Sequence, residues 1–431
     1  MVKMKKLRNA VLLGLVAATG LASCAGNPSG PADDFTPSMD KNTKCSIKVV
    51  GDYSNFEALE AEFDRFNEFY PEVRLSYVKL DDYKNTLGTA LDGNDKPNIF
   101  FFYNWMSVDE KYAPVISHME NLSDPALKFN LDIIRPGLIS RDAKGDAYMV
   151  PVFSRTHGVL VNNDLFKKEN LAVPGTWTEL LNVCKSFGEK GYKNPMMGFS
   201  KTSSSCWMNT VAYPQFVADL AKDPEAMKKA NDLDPAAGVY MRGALEAVDK
   251  LVKNSCFNIA ECDTISDNYT QVILRFFEGD VPMMVCTGDT VSGTKKRESQ
   301  SEAYIANRFD YSFYPIPLTE QGGYFIDSPS VEFSVNKDCA NLDMTNEFMR
   351  FLLTTKELNQ MASAKRLVTP TKQLSFDAVY APFGKVPSER IFSPEVLGVK
   401  DPLTAQIRSA SYKVGKGELT VDEAIAQYGR L

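Results

Sequence analysis

Histidine is the scarcest chemically useful residue in this sequence, because His118 and His157 are the only two among 431 residues. A histidine-rich metal site is therefore almost excluded, and little remains for histidine-based acid–base catalysis. The sequence also lacks the Gly-x-Ser-x-Gly elbow of serine hydrolases and a Gly-Lys-Ser/Thr phosphate loop, which residues 288–295 resemble only superficially. A glycosidase needs only two carboxylates, and 55 acidic residues leave that alternative open.

Long hydrophobic runs are also missing, since no stretch reaches the roughly 20 apolar residues of a membrane span. The apolar run at 10–22 follows four basic residues and ends on Leu-Ala-Ser-Cys at 21–24. This arrangement looks like a bacterial lipobox, so Cys24 is the expected lipidation site and residues 1–23 the signal peptide. Residues 24–44, rich in Gly, Pro, Ser and Asp, are expected to form a flexible tether that holds the body at a membrane.

The charge balance is acidic, with a net charge of −7. Loss of residues 1–23 leaves 44 basic against 55 acidic side chains, a net charge of −11. Such a body is a poor nucleic-acid binder and does not adhere to anionic lipid by itself. Small solutes and protein partners therefore remain as binding classes.

Cysteine is present in an odd number once Cys24 is set aside, because seven others remain. Cys256 and Cys262 form the only close pair, with five residues between them. In an oxidising compartment a disulfide between them is one alternative, and two free thiols are the other.

The body from about residue 45 alternates strand and helix patterns. Strands are predicted at 46–51, 73–77 and 98–103, with a helix capped by Ser54 and Glu57 after the first and another at 81–91. The alternation restarts after Pro151, with further predicted elements at 158–161, 176–187, 244–252, 281–286, 311–315, 345–353 and 356–364. A body of roughly 390 residues exceeds one hydrophobic core, so two α/β lobes with parallel sheets are expected.

Four phrases in this body resemble those of the family 1 extracellular solute-binding proteins, the group that includes maltose-binding protein. The first covers 145–151 (GDAYMVP), 158–166 (GVLVNNDLF) and 174–180 (PGTWTEL). The second is 276–284 (FFEGDVPMM), the third is 314–317 (YPIP), and the fourth joins 333–335 with 347–352. Together they occur in the family's order over roughly residues 46–375.

The resemblance implies a two-lobed periplasmic-binding-protein-like fold of type II that closes over a ligand by a hinge motion. The implied first lobe is 45–152 plus about 331–362, and the second is 153–330 plus about 363–431, with crossings near 151–155, 328–332 and 362–370. It also implies a monomer that delivers a sugar to an ATP-binding-cassette permease, without a cofactor or a catalytic role. A surface adhesin or scaffold lipoprotein with the same fold is the main alternative.

Sugar sites combine aromatic faces with carboxylates or arginine, and polar groups that follow strands are the natural suppliers. Where many family members have a tryptophan after the second phrase, this sequence has Asp289, so the ligand class is open at that point. Trp177 is assigned to the core, because its phrase begins a helix. The expected ligand-binding residues are Asp52, Tyr53, Asn104, Trp105, Arg155, Trp207, Asp289, Tyr324, Asp327 and Glu332.

Overall fold

A computed structural model of the protein describes residues 34–431, so the expectations for Cys24 and the signal peptide lie outside the described residues. The strands of the described part are short and widely spaced along the chain. They are β1 Cys45–Gly51, β2 Val73–Lys79, β3 Ile99–Phe102, β4 Val150–Pro151, β5 Ser154–Arg155, β6 His157–Asn162, β7 Met196–Gly198, β8 Met283–Thr287, β9 Tyr311–Tyr314, β10 Phe325–Ile326, β11 Ser328–Pro329, β12 Glu332–Val335 and β13 Ile391–Phe392.

Helices separate most of these strands, and several short 3-10 helices join them. The α-helices are α1 Glu57–Asn67, α2 Tyr83–Asp92, α3 Ala113–Ser117, α4 Asn163–Glu169, α5 Trp177–Glu189, α6 Trp207–Leu220, α7 Pro224–Asn231, α8 Arg242–Lys253, α9 Ile259–Cys262, α10 Gln271–Phe276, α11 Gly288–Ser292, α12 Thr294–Glu298, α13 Glu302–Ala306, α14 Leu342–Leu352, α15 Thr355–Lys365, α16 Pro394–Leu397, α17 Asp401–Gly415 and α18 Val421–Ala426. The 3-10 helices are Asn104–Val108, Glu110–Tyr112, Pro125–Leu127, Leu131–Ile133, Pro136–Leu138, Pro235–Met241, Ala378–Lys385 and Ser388–Arg390.

The first lobe is built on a five-stranded sheet in the order β2-β1-β3-β12-β4. Strands β1, β2 and β3 are parallel, as the alternation of strands with helices predicts. Strand β12, which returns from far along the chain, pairs antiparallel with β3 and β4, so the sheet is mixed and the expectation of a purely parallel sheet is wrong. Its core is rich in phenylalanine, with Phe56, Phe101 and Phe333 packed together.

The second lobe is built on a four-stranded sheet in the order β7-β8-β6-β9. Helix α6 packs across it, and the close approach requires a glycine at 198, where a Cβ would meet the Cβ of Trp207 at 2.5 Å. Trp207 is fully buried there and stacks on Phe257, with ring centroids 3.7 Å apart. The two lobes have separate hydrophobic cores, so the predicted two-lobed α/β fold is confirmed.

The chain passes from one core to the other three times. The first core contains Phe153, Val331 and Leu367, whereas the second contains Val159, Ile326 and Val368. In the passages between them, β5 pairs antiparallel with β11, and the backbone N–H of Ser154 donates to the carbonyl of Val368 at 2.9 Å. All three passages are therefore hydrogen-bonded into one connecting layer.

Two local predictions differ from the structure. Helix α1 begins at Glu57 with Phe56 as its N-cap and no side-chain cap, so the predicted capping box of Ser54 and Glu57 is wrong. At the start of α5, by contrast, Thr176 and Glu179 form a capping box. In the loop before α1, the side-chain amide of Asn55 donates a hydrogen bond to the carboxylate of Glu57, so Glu57 has a different partner from the one predicted.

The cysteines of the described part are all free thiols. Cys256 and Cys262 are therefore not joined by a disulfide, and the alternative of two free thiols is the one found. Cys256 instead lies beside Cys184 of α5, and the neighbouring thiol and burial raise the pKa of Cys184. Within residues 34–431, no helix has the length and apolar character needed to cross a bilayer.

Candidate functional site

The loop that follows β1 carries the first polar group of the site. Asp52 is exposed, and its Oδ1 accepts a hydrogen bond of 3.0 Å from the hydroxyl of Tyr103. Although the residue is exposed, the protein atoms around its carboxyl group displace part of the water there, and this desolvation raises the pKa of Asp52; the nearby charge of Asp289 adds to that rise. Tyr53 is half-buried, with the ammonium of Lys365 4.6 Å from its ring centroid.

The segment that follows β3 supplies an aromatic surface. Trp105 is 36% exposed, and its ring lies nearly parallel to that of Tyr103, with centroids 6.3 Å apart and an interplanar angle of 12°. The ammonium of Lys84 lies 5.0 Å from the Trp105 ring centroid. Exposed tryptophan faces of this kind can contact the apolar C–H patches of a sugar ring.

The connecting passages and the second lobe contribute an ion pair. Nη1 of Arg155 is 2.6 Å from Oδ2 of Asp289, and the hydroxyl of Ser330 donates to the other carboxylate oxygen at 2.7 Å. The side chains of Arg155 and Asp289 are still 40% and 33% exposed. Asp289 of the second lobe thus binds one residue of the first passage and one of the second. Its carboxylate oxygens still have lone pairs with which a ligand could form hydrogen bonds.

Glu332 links the two sides of this arrangement. It begins β12, is only 2% exposed, and accepts a hydrogen bond of 3.1 Å from the backbone N–H of Asn104 through Oε2. Burial, strengthened by the charge of Glu395, raises the pKa of Glu332 to about 8, although Arg155 opposes the rise.

These contacts form a continuous chain between the lobes, which we call the interlobe network. It runs through hydrogen bonds and through residues one or two positions apart in the chain, in the order Asp52, Tyr103, Asn104, Glu332, Ser330, Asp289 and Arg155. Five of the expected ligand-binding residues belong to it, and Tyr53 and Trp105 are chain neighbours of members.

Three expected residues lie outside the interlobe network. Trp207 lies within the second core, where its face is covered by Phe257. Asp327 is 5% exposed, and both of its carboxylate oxygens are bound by Arg135 at 2.7 and 2.8 Å. Tyr324 is 7% exposed, lies under the guanidinium of Arg390, and lines a different cavity of about 450 Å³ on the second lobe.

The sequence reasoning missed residues that the fold brings to the network. His157 lies beside Arg155 and Asp289, and burial together with the Arg155 charge lowers its pKa to about 3. The ring centroid of Tyr213 in α6 is 5.2 Å from that of His157. Alternation along the strand from Arg155 could have indicated His157.

Glu395 was missed as well, and nothing in the sequence around it indicated a site. It precedes no strand and belongs to the short helix α16, which packs against the 3-10 helix Pro136–Leu138 of the first lobe. Burial raises its pKa to about 7. Among the described residues, no group of three His, Cys, Asp or Glu side chains is placed to hold a metal ion.

Comparisons with known proteins agree with this architecture. The sequence matches the family described as bacterial extracellular solute-binding protein over residues 57–382. No curated protein matches it by sequence.

Solved structures show the same fold. The sugar-binding protein MalE from Xanthomonas citri is 17% identical and has a TM-score of 0.64, over 90% of this chain and 96% of that one. A chitin oligosaccharide binding protein is 15% identical with a TM-score of 0.66, over 90% and 98%. A sugar transporter from Bacillus licheniformis, in complex with stachyose, is 17% identical with a TM-score of 0.58, over 90% and 100%.

Proposed function

We propose that this chain, which belongs to the family of bacterial extracellular solute-binding proteins, captures a carbohydrate between its two lobes and delivers it to a membrane permease. The observation that carries the proposal is the partly exposed Trp105 ring, which lies nearly parallel to Tyr103, whose hydroxyl binds the carboxylate of Asp52 at one end of the interlobe network. An aromatic face and several oxygen acceptors together match a molecule that has both C–H patches and hydroxyl groups. The stachyose complex and the chitin oligosaccharide binding protein, which share the fold, support this ligand class.

Capture requires the lobes to move relative to each other. We propose lobes of 45–152 plus about 331–362 and of 153–330 plus about 363–431, which rotate about the three connecting passages. Closure would bring Asp52, Tyr53 and Trp105 of the first lobe toward Asp289 and the second lobe around a bound sugar. The ligand stabilises the closed form to the extent that it binds that form more tightly.

As a member of an extracellular family, the protein works outside the cytoplasm. We further propose that a lipid on Cys24 holds it at the membrane, and that it works as a monomer beside an ATP-binding-cassette permease. The proposal includes no catalytic step. Its acidic charge favours neither nucleic acid nor anionic lipid as a partner.

A thermal-shift screen tests the function. The panel contains neutral oligosaccharides, monosaccharides, polyols, amino acids and polyamines, each added to the purified body from residue 34 onward. A true ligand at a hundredfold excess over Kd stabilises the folded state by about 2.7 kcal/mol and raises Tm. A rise with saccharides alone supports the proposal, whereas a rise only with amino acids or polyamines, or hydrolysis of an added glycan, overturns it.

Replacement of Trp105 by Ala tests the proposed aromatic platform. Loss of a stacking face from a binding site costs about 1–2 kcal/mol, so the Kd for the identified sugar should rise roughly tenfold. Because Trp105 is partly exposed, Tm of the free protein should change little. Trp105→Phe is the matched control and should retain most of the affinity; equal affinity of wild type and Trp105→Ala, measured by calorimetry, would remove Trp105 from the site.

A further inference from the structure

Three buried polar atoms around the interlobe network have no hydrogen-bond partner among the described residues. They are Oε1 of Glu332, Nδ1 of His157 and Oγ1 of Thr287. A buried donor or acceptor without a partner costs roughly 1–3 kcal/mol, so native proteins usually provide one. Other buried atoms of the described residues also have no partner, but these three lie beside one site, where a bound molecule can supply the missing hydrogen bonds.

The sheet of the second lobe places two of these groups side by side. His157 and Thr287 are directly paired residues of the antiparallel strands β6 and β8, so their side chains lie on the same face. Thr287 is 4% exposed and immediately precedes α11, which carries Asp289. The Tyr213 ring, tilted by 43° to the imidazole, forms a wall beside His157.

The third group comes from the other side of the network. Glu332 and His157 both lie near Arg155, whose guanidinium charge affects the pKa of each. Its Oε2 is held by the backbone of Asn104, which fixes the carboxyl and leaves Oε1 available. The three atoms therefore belong to rigid elements, β6, β8 and β12, rather than to flexible loops.

The side chains of His157, Thr287 and Glu332 are mostly uncharged near pH 7. The pKa of His157, lowered to about 3, keeps the imidazole uncharged, and that of Glu332, raised to about 8, keeps most of the carboxyl protonated. Arg155 is already paired with Asp289. A carboxylate or an ammonium group of a ligand would lose its hydration here and would find no unpaired counter-charge among the three groups, so either charge is disfavoured.

We propose that His157, Thr287 and Glu332 form a neutral hydrogen-bonding subsite that takes an uncharged, hydroxyl-bearing ring of the solute. This inference rests on the proposed function and narrows its substrate class to carbohydrates that place a neutral ring at this position. Hydroxyl groups suit the three atoms because each hydroxyl both donates and accepts.

Thr287→Val is the sharpest test, because it replaces only the hydroxyl by a methyl group of similar size. The sugar that stabilises the wild type in the thermal-shift screen is titrated by calorimetry into wild type, Thr287→Val and His157→Phe. Each variant leaves a buried ligand hydroxyl without its partner, so each Kd should rise roughly tenfold or more. His157→Gln, which can still donate and accept, should lose less affinity than His157→Phe.

Thr345→Val is the matched control. Thr345 is also fully buried, but its hydroxyl donates to the carbonyl of Asn341 in the first lobe, so this variant should alter Tm and leave Kd unchanged. If the wild type binds sugar and neither Thr287→Val nor His157→Phe weakens it, the subsite is wrong while the function stands. If no saccharide binds the wild type, the proposed function itself fails.

A second comparison tests the preference for an uncharged ring. The identified sugar is compared with analogues in which one ring at a time carries a uronate or an amino group. At the ring that occupies the proposed subsite, the uronate analogue and the amino analogue should each bind the wild type with a Kd roughly tenfold higher than that of the identified sugar. Equal or tighter binding of charged analogues at every ring would overturn the preference.

Discussion

At the scale of single residues, Glu332 shows how burial sets the charge of a side chain. Its Oε2 has one backbone donor, its Oε1 has none, and no cation forms a salt bridge with it among the described residues. A carboxyl in such surroundings is more stable with its proton than without it. The groups that act on it are Glu395, which favours the protonated form, and Arg155, which opposes it.

The pH dependence of stability follows from this residue. The folded pKa of about 8 lies above the ordinary value of 4.5, so the folded state binds the proton more tightly. Between these values the contribution of Glu332 to the free energy of unfolding should fall by up to about 1.4 kcal/mol per pH unit as pH rises. Glu332→Gln cannot titrate, so its stability relative to wild type should increase from pH 5 to pH 8.

Denaturant unfolding of both proteins at several pH values measures this difference. Glu389→Gln, at an exposed position, is the control and should follow the wild-type profile. Parallel profiles for wild type and Glu332→Gln would mean that Glu332 is ionised in the folded protein.

At the scale of elements, the segment before β1 is more ordered than its composition predicts. The sequence indicates a flexible tether as far as Lys44, but the structure places Phe35 against Phe66 of α1 and Phe351 of α14. Ser38 adds two hydrogen bonds of 2.7 Å to Glu347. One aromatic residue in a polar segment is enough for docking when a complementary aromatic surface exists elsewhere in the fold.

Phe35→Ala tests this docking. Loss of the aromatic contacts should lower the free energy of unfolding by about 1–3 kcal/mol, because the ring is half-buried among Phe66, Phe69 and Phe351. Phe35→Leu keeps an apolar side chain and should recover part of the loss. An unchanged Tm in Phe35→Ala would show that residues 34–44 do not contribute to the fold in solution.

At the scale of the whole molecule, Arg135 of the first lobe holds all three connecting passages. Its guanidinium binds Asp327 with two hydrogen bonds, the hydroxyl of Ser154, and the carbonyls of Thr369 and Thr371, all at 2.7–2.9 Å. All five N–H donors are used, which only the planar fork of arginine allows. One side chain therefore joins the three connecting passages.

Arg135→Met should destabilise the protein by about 3–5 kcal/mol, because it leaves Asp327 buried without its counter-charge. The double variant Arg135→Met with Asp327→Leu removes both charges and should be more stable than the sum of the single changes predicts. Thermal unfolding of the four proteins provides the double-mutant cycle. Strictly additive losses would show that the pair does not act as a unit.

The sequence by itself determined the α/β class, the family and the positions of the main strands and several helices, although it did not indicate the long helices α6 and α17. These are properties of short segments: periodicity decides between strand and helix, and phrases such as 174–180 keep their order along the chain. It also indicated five members of the interlobe network, because polar residues that follow neighbouring strands meet at one edge of a sheet.

Only the tertiary structure decided which polar and aromatic residues keep free surface. Trp105 follows β3 and Trp207 begins α6, yet Trp105 stays partly exposed while Trp207 is covered by Phe257, fifty residues further along. Asp327 is bound by Arg135, whereas the Thr287 hydroxyl has no hydrogen-bond partner within residues 34–431. The physical reason is that burial and hydrogen-bond satisfaction depend on partners distant in the chain, whose positions local sequence does not specify.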